Sequence, residues 1–215
     1  PQSAALPLTV DTAAPAAPTG VTVTDDVAPV TGAIAANGAS NDNKPTFAGA
    51  AGSAEAGSTI TVMDGATVLG TAVVAADGSW SVTPTTALAD GAHSITTRAT
   101  DAAGNVSPVS PALALTVDTA APAAPAAPTS TAPSTNDNTP GIHIGVGLTD
   151  TPSLYVDGVK VPATYDPVTG TLTPTTPLGD GVHQFTTTLT DAAGNESPQS
   201  AALPLTVDTA APAAP

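Results

Sequence analysis

The chain has 215 residues, 18 acids against three bases, a formal net charge of -15 and no cysteine. With Lys44, Arg98 and Lys160 as its only lysine and arginine residues it has no basic surface to neutralise phosphates, which excludes nucleic acid and anionic membrane surfaces as partners. No stretch approaches the roughly 18 apolar residues of a membrane span, and the missing cysteines exclude disulfides and zinc-thiolate sites.

Gly 19 and Pro 23 make up about a fifth of the chain, below the roughly 25–30% that marks a disordered low-complexity sequence, so a folded protein is expected. The segment PQSAALPLTVDTAAPAAP at 1–18 recurs unchanged at 198–215, LTVDTAAPAAP begins at Leu8, Leu115 and Leu205, and DAAGN occurs at 101–105 and 191–195. These markers divide the chain into the last strand and linker of a preceding repeat (1–18), a first complete unit (19–118), a shorter second unit (119–208) and the start of the next linker (209–215). Closely spaced prolines in DTAAPAAP predict a short stiff strut, because each fixes φ near -65°.

In chain order, residues 2–10 read as an orphan strand that has lost its sheet. In the first unit, apolar residues alternate with small polar ones at 59–62, 79–82, 94–96 and 113–117, the period of half-buried strands. Turn signals separate them: Asp64-Gly65, Asp77-Gly78, Asp90-Gly91 and Gly104-Asn105. The second unit repeats the plan at 154–156, 171–173, 183–189 and 203–207, with turns at Asp157-Gly158, Thr169-Gly170 and Asp180-Gly181. No helical stripe exists. The pattern predicts an all-β protein: two tandem antiparallel β-sandwich domains joined by a short Pro-rich linker. Phe47, Trp80 and Phe185 are expected to pin the cores.

Strands that alternate in direction deliver their loops to two ends. The incoming end of the first unit should gather Asp11, Glu55, Asp77 and Asp101. Its outgoing end should gather Asp25, Asp26 and Asp118, facing Asp150, Asp191 and Asn195 of the second unit. Carboxylates brought together repel one another unless a cation sits among them, and six to eight hard oxygen ligands suit Ca²⁺. The metal candidates are therefore Asp11, Asp25, Asp26, Glu55, Asp101, Asp118, Asp150, Asp191 and Asn195. Asp64, Asp90, Asp157 and Asp180 read as turn residues. His93, His143 and His183 read as strand histidines with one solvated edge. Neither HExxH nor GxSxG is present, so catalysis is not expected.

TVDTAAPAAP, NDNKPTFAGAAGSAEAGSTITVMDGATVLGT, ADGSWSVTP and ADGAHSITTRATDAAGNVS together resemble the tandem bacterial immunoglobulin-like repeats of giant secreted adhesins, the biofilm-associated and RTX-type surface proteins. The second unit keeps NDNTP, TPTTPLGDGVH and DAAGNES but lacks counterparts to TDDV and SAEAGS. The resemblance makes the two sandwiches immunoglobulin-like and implies an extender at the bacterial cell surface, outside the cell. Calcium at the domain junctions would rigidify it, supporting adhesion or biofilm formation. Its partners would be neighbouring repeats of the same chain and, through other domains, a host or abiotic surface; a monomer without membrane insertion is expected. The alternatives are an Ig-like module that recognises glycan or protein, with Tyr155 and Tyr165 as its aromatics, and homotypic adhesion through strand edges.

Overall fold

The computed structural model describes residues 8–213, which form two compact units that divide between Thr119 and Ala120. None of these residues is helical, so no helix is long and apolar enough to cross a membrane. Most of the expected orphan strand lies outside the described residues. Its last part, 8–10, belongs to no strand, and Leu8 and Val10 are exposed.

The first unit contains β1 (Thr22–Asp25), β2 (Gly32–Ala33), β3 (Ala39–Ser40), β4 (Thr46–Gly49), β5 (Thr59–Asp64), β6 (Thr67–Val73), β7 (Trp80–Val82), β8 (Gly91–Thr100) and β9 (Leu113–Val117). Two sheets, ordered β2-β1-β4-β7 and β3-β9-β8-β5-β6, supply the two faces of the core. Every second residue points inward, as the alternation requires: Val23, Phe47, Trp80 and Val82 come from one sheet, and Ile60, Val62, Ile95, Ala99, Leu115 and Val117 from the other. Gly49 leaves the Trp80 indole its space, since a side chain there would collide with the ring.

One pairing departs from the antiparallel expectation. After β1 and its hairpin partner β2 the chain crosses to the opposite sheet, and β3 arrives there running parallel to β9, with Ala39 opposite Thr116 and Ser40 opposite Val117. Thr116 N donates to Gly38 O and Asp118 N to Ser40 O, both at 3.0 Å.

The second unit contains β10 (Ser134–Thr135), β11 (Ile142–His143), β12 (Thr151–Val156), β13 (Val159–Val161), β14 (Ala163–Asp166), β15 (Thr171–Pro174), β16 (Gly181–Thr190) and β17 (Leu203–Val207). Its sheets run β10-β17-β16-β12-β13 and β11-β15-β14. The parallel pairing recurs between β10 and β17, with Thr206 N on Pro133 O at 3.0 Å and Asp208 N on Thr135 O at 2.9 Å. A counterpart to β1 is reduced to one bridge, Thr129 to His143. The Asp157-Gly158 turn has φ of 52° and 81°, the left-handed pair that a tight hairpin demands and that Asp-Gly adopts at low steric cost.

Candidate functional site

The incoming end of the first unit brings together three of the acids expected there. Asp11, Glu55 and Asp101 line one cleft with Thr9, Ser58 and the 101–103 loop. Asp77 does not join them; its carboxylate is satisfied by Ser79, from both the amide (2.9 Å) and the hydroxyl (2.7 Å), and the Ser79 hydroxyl is the main reason its pKa is lowered. Asp101 caps its own DAAGN turn. Its Oδ1 accepts from the amides of Ala103 (2.9 Å) and Asn105 (2.8 Å), and its Oδ2 accepts from Asn105 Nδ2 at 2.8 Å, which holds its carboxyl below the ordinary value. Asn105 Nδ2 also donates to the backbone oxygen of Asp11 at 3.1 Å, so this turn grips the incoming linker directly.

At the outgoing end Asp25 is buried, with Oδ2 accepting from Ser40 Oγ at 2.6 Å and Oδ1 from Val27 N at 2.7 Å. Asp118 approaches the same place by donating its amide to Ser40 O. Asp26 is exposed and donates its amide to Asp42 Oδ2 at 3.4 Å. Asp42 was not among the sequence candidates, yet it is buried and its Oδ1 accepts from Lys44 N at 2.8 Å. Its signal was the NDN motif, which recurs at 136–138.

In the second unit Asp191 and Asn195 repeat the self-capped turn, with Asn195 N and Ala193 N each 2.9 Å from Asp191 Oδ1 and Asn195 Nδ2 2.9 Å from Oδ2. Asp150 accepts a long hydrogen bond from Thr149 Oγ1 at 3.4 Å. Among the described residues no group of three or more His, Cys, Asp or Glu side chains is placed so that it could hold a metal ion. The donors of the incoming cleft are all oxygens, the chemistry that calcium prefers.

Several side chains do more than their sequence positions suggested. Asp90 and Asp180 are anchors as well as turn residues: Thr119 donates its amide (3.1 Å) and hydroxyl (2.9 Å) to Asp90 Oδ1, and Thr209 donates the same pair (3.0 and 2.8 Å) to Asp180 Oδ1. The Thr209 amide is the main reason the Asp180 pKa is lowered. His93 and His183 are half-buried, and the ring nitrogens of each both meet acceptors. Tyr155 and Tyr165 are tied down through their hydroxyls, to Glu196 Oε1 and Gly145 O, each at 2.8 Å. Glu196, absent from the sequence candidates, also accepts from Thr188 Oγ1 at 2.6 Å. It stands where the first unit has Val106, and that exchange inside an otherwise shared motif was its sequence signal.

The chain is similar in fold to the fibronectin(III)-like modules of Clostridium thermocellum CbhA, with 16% identity over 86% of this chain and 93% of that one and a TM-score of 0.52. It also matches a biofilm-associated protein's BSP domain (20% identity, 82% of this chain and 30% of that one, TM-score 0.30). A third match is a structure from a 1.5-MDa bacterial ice-binding adhesin (21% identity, 78% and 58%, TM-score 0.38). No curated protein matches the sequence. The family model described as a bacterial Ig-like domain matches residues 17–119 and again residues 127–209, and the chain belongs to that family as two members in tandem.

Proposed function

We propose that the chain is an extender segment of a bacterial surface adhesin, stiffened by calcium, that holds a distal binding domain away from the cell. The observation that carries the calcium part is the meeting of a linker acid, Asp11, with two loop acids, Glu55 and Asp101, around one cleft. Asp11 belongs to the strut and the other two to the sandwich, so an ion held by all three cross-links linker to domain and removes the hinge between them. Calcium supplies charge neutralisation and oxygen coordination there. Without it, mutual repulsion of the carboxylates loosens the strut.

Repeat equivalence extends the proposal. Asp118 stands in the linker copy where Asp11 stands, and Asp191 with Asn195 repeats Asp101 with Asn105. Asp150 supplies an acid offset from the Glu55 position. Asp25 and Asp26 complete the acid set at the outgoing end of the first unit. Surface location and a role in adhesion or biofilm formation rest on the sequence motifs and on family membership.

Calorimetry and small-angle scattering of the chain with calcium and with chelator, at fixed ionic strength, test the reading. Calcium raises the unfolding temperature and lengthens the particle, and the double variant Asp11→Ala with Glu55→Ala loses the first unit's share of both responses. If wild type responds to neither, the acids are turn caps only and the proline struts alone supply stiffness.

A further inference from the structure

Each unit carries a histidine in the same unusual setting. His93 lies on β8, with Nδ1 2.7 Å from Asp64 Oδ2 in the β5–β6 turn and Nε2 2.8 Å from the carbonyl oxygen of Ala89. His183 lies on β16, with Nδ1 2.7 Å from Asp157 Oδ2 in the β12–β13 turn and Nε2 2.9 Å from the carbonyl oxygen of Gly179. A neutral imidazole has one N–H and one lone pair. Set between two acceptors, the neutral ring would point a lone pair at one of them, whereas the imidazolium donates to both. The arrangement has arisen in two units whose hairpins differ in length, so it is not an accident of one loop.

The second oxygen of each aspartate accepts a backbone amide, Ser94 N at 3.0 Å on Asp64 and Gln184 N at 2.8 Å on Asp157. Across the ladder His93 faces Leu115 and His183 faces Leu205, both apolar. Asp90 and Asp180 on the adjoining turns are each engaged by a threonine, and Lys160 on the β12–β13 hairpin pairs with Glu196. Among the described residues no lysine or arginine pairs with Asp64 or Asp157.

We propose that His93 and His183 are imidazolium latches, one per unit, that fasten a hairpin turn to the loop before the long strand while charged and release it on losing a proton, so that pH sets how firmly the root of the outgoing linker is held. The coupling runs through consecutive residues. Ala89 precedes Asp90, which binds both the amide and the hydroxyl of Thr119, and Gly179 precedes Asp180, which binds those of Thr209.

The pKa directions agree with this geometry. Burial opposes the charge on His93, but the Asp64 carboxylate and the Ala89 carbonyl outweigh it and raise the pKa; His183 is raised first by Asp157 and then by Gly179. A group whose pKa is raised on folding contributes its stability in full below the unfolded value, about 6.5, and loses it as pH climbs through the folded one. Asp157 is held low, first by the Gln184 amide and then by His183, so on the acid side its share persists until pH falls through that lowered value.

Nitrogen-resolved NMR of the imidazole rings in the whole chain, from about pH 5 to 9 and assigned with single His→Gln variants, tests the latch. His93 and His183 show both nitrogens protonated near pH 6, with midpoints above the free-imidazole value of about 6.5. Hydrogen exchange at the Thr119 and Thr209 amides, corrected for its intrinsic pH dependence, speeds up several-fold as the matching ring deprotonates. Asp64→Asn lowers the His93 midpoint by roughly one unit and leaves that of His183 in place. A neutral single tautomer near pH 6, a midpoint at or below that of free imidazole, or Thr119 exchange that ignores the His93 titration would overturn the proposal. The wild-type readings decide the matter even where a variant unfolds.

Discussion

The two units solve one folding problem with different amounts of material. Among the described residues the first unit gathers twelve buried residues in its core cluster, including Phe47 and Trp80, while the second gathers six around Phe185. The first also spends a strand, β1, and a buried acid, Asp25, on closing its second sheet; the second dispenses with both. Both nevertheless keep the DAAGN self-capped turn, the histidine latch, the threonine tether and the parallel pairing of the last strand. The shortening removed core and sheet edge and spared the features that hold the ends of the unit in place.

That comparison can be broken experimentally, and the largest effect should come from the thinner core. Phe185→Ala removes a fully buried aromatic, which costs about 3–5 kcal/mol. The second unit should then unfold at room temperature while Trp80, the chain's one tryptophan, still reports a folded first unit. Loss of the Trp80 signal in the same variant would show the units to be one cooperative body. Next comes Asp25→Ala, which strands the Ser40 hydroxyl and the Val27 amide. It should cost about 1–3 kcal/mol in the Trp80-monitored denaturation and nothing in the second unit.

A smaller loss is expected from Asp101→Ala and Asp191→Ala, each lowering only its own unit's unfolding temperature in chelator. The Asn105 side chain holds the Asp101 carboxyl low, so this contribution is present above the ordinary carboxylate range and fades as pH falls through the lowered value. An acid titration of wild type against Asp101→Ala measures it. The smallest change should follow Lys160→Ala. Lys160 Nζ is 3.7 Å from Glu196 Oε1 and the lysine is half exposed, so the pair contributes about 0.5 kcal/mol or less. A larger loss would mean that the Glu196–Tyr155–Thr188 network depends on the lysine.

Much of this was legible in the sequence wherever the two-residue period ran cleanly. The alternation at 59–62, 113–117 and 203–207 became β5, β9 and β17, and the Asp-Gly signals became hairpin or strand-edge turns. The early strands of the first unit were hidden because an inward position of β1 is an acid. Asp25 breaks the apolar rhythm, and only Ser40, fifteen residues away, makes its burial tolerable. Asp42 was hidden in the same way, since the 25–27 segment covers it, whereas its counterpart Asp137 is exposed. Strand direction sorted Asp11, Glu55 and Asp101 to the incoming cleft, but it also put Asp77 with them, which the cleft leaves out. What direction could not reveal was that Asp101 is already committed to its own turn. The histidine latches join residues 29 and 26 positions apart, and the clue was that both members recur in both units.

The parallel pairing of β3 with β9 and of β10 with β17 has a consequence for a chain pulled by its two ends. Tension arriving through the leading linker reaches β10 as the first strand of the second unit, and β3 only by way of β1 and β2, while tension through the trailing linker drags β17 or β9 the other way; because the partners run in the same direction, the load between them falls as shear. Thr116 to Gly38 and Asp118 to Ser40, like Thr206 to Pro133 and Asp208 to Thr135, are then strained together, since none can open ahead of its neighbour as the teeth of a zipper do. In the second unit this load rests on a patch of two backbone hydrogen bonds, and it is the patch that the shorter unit has kept.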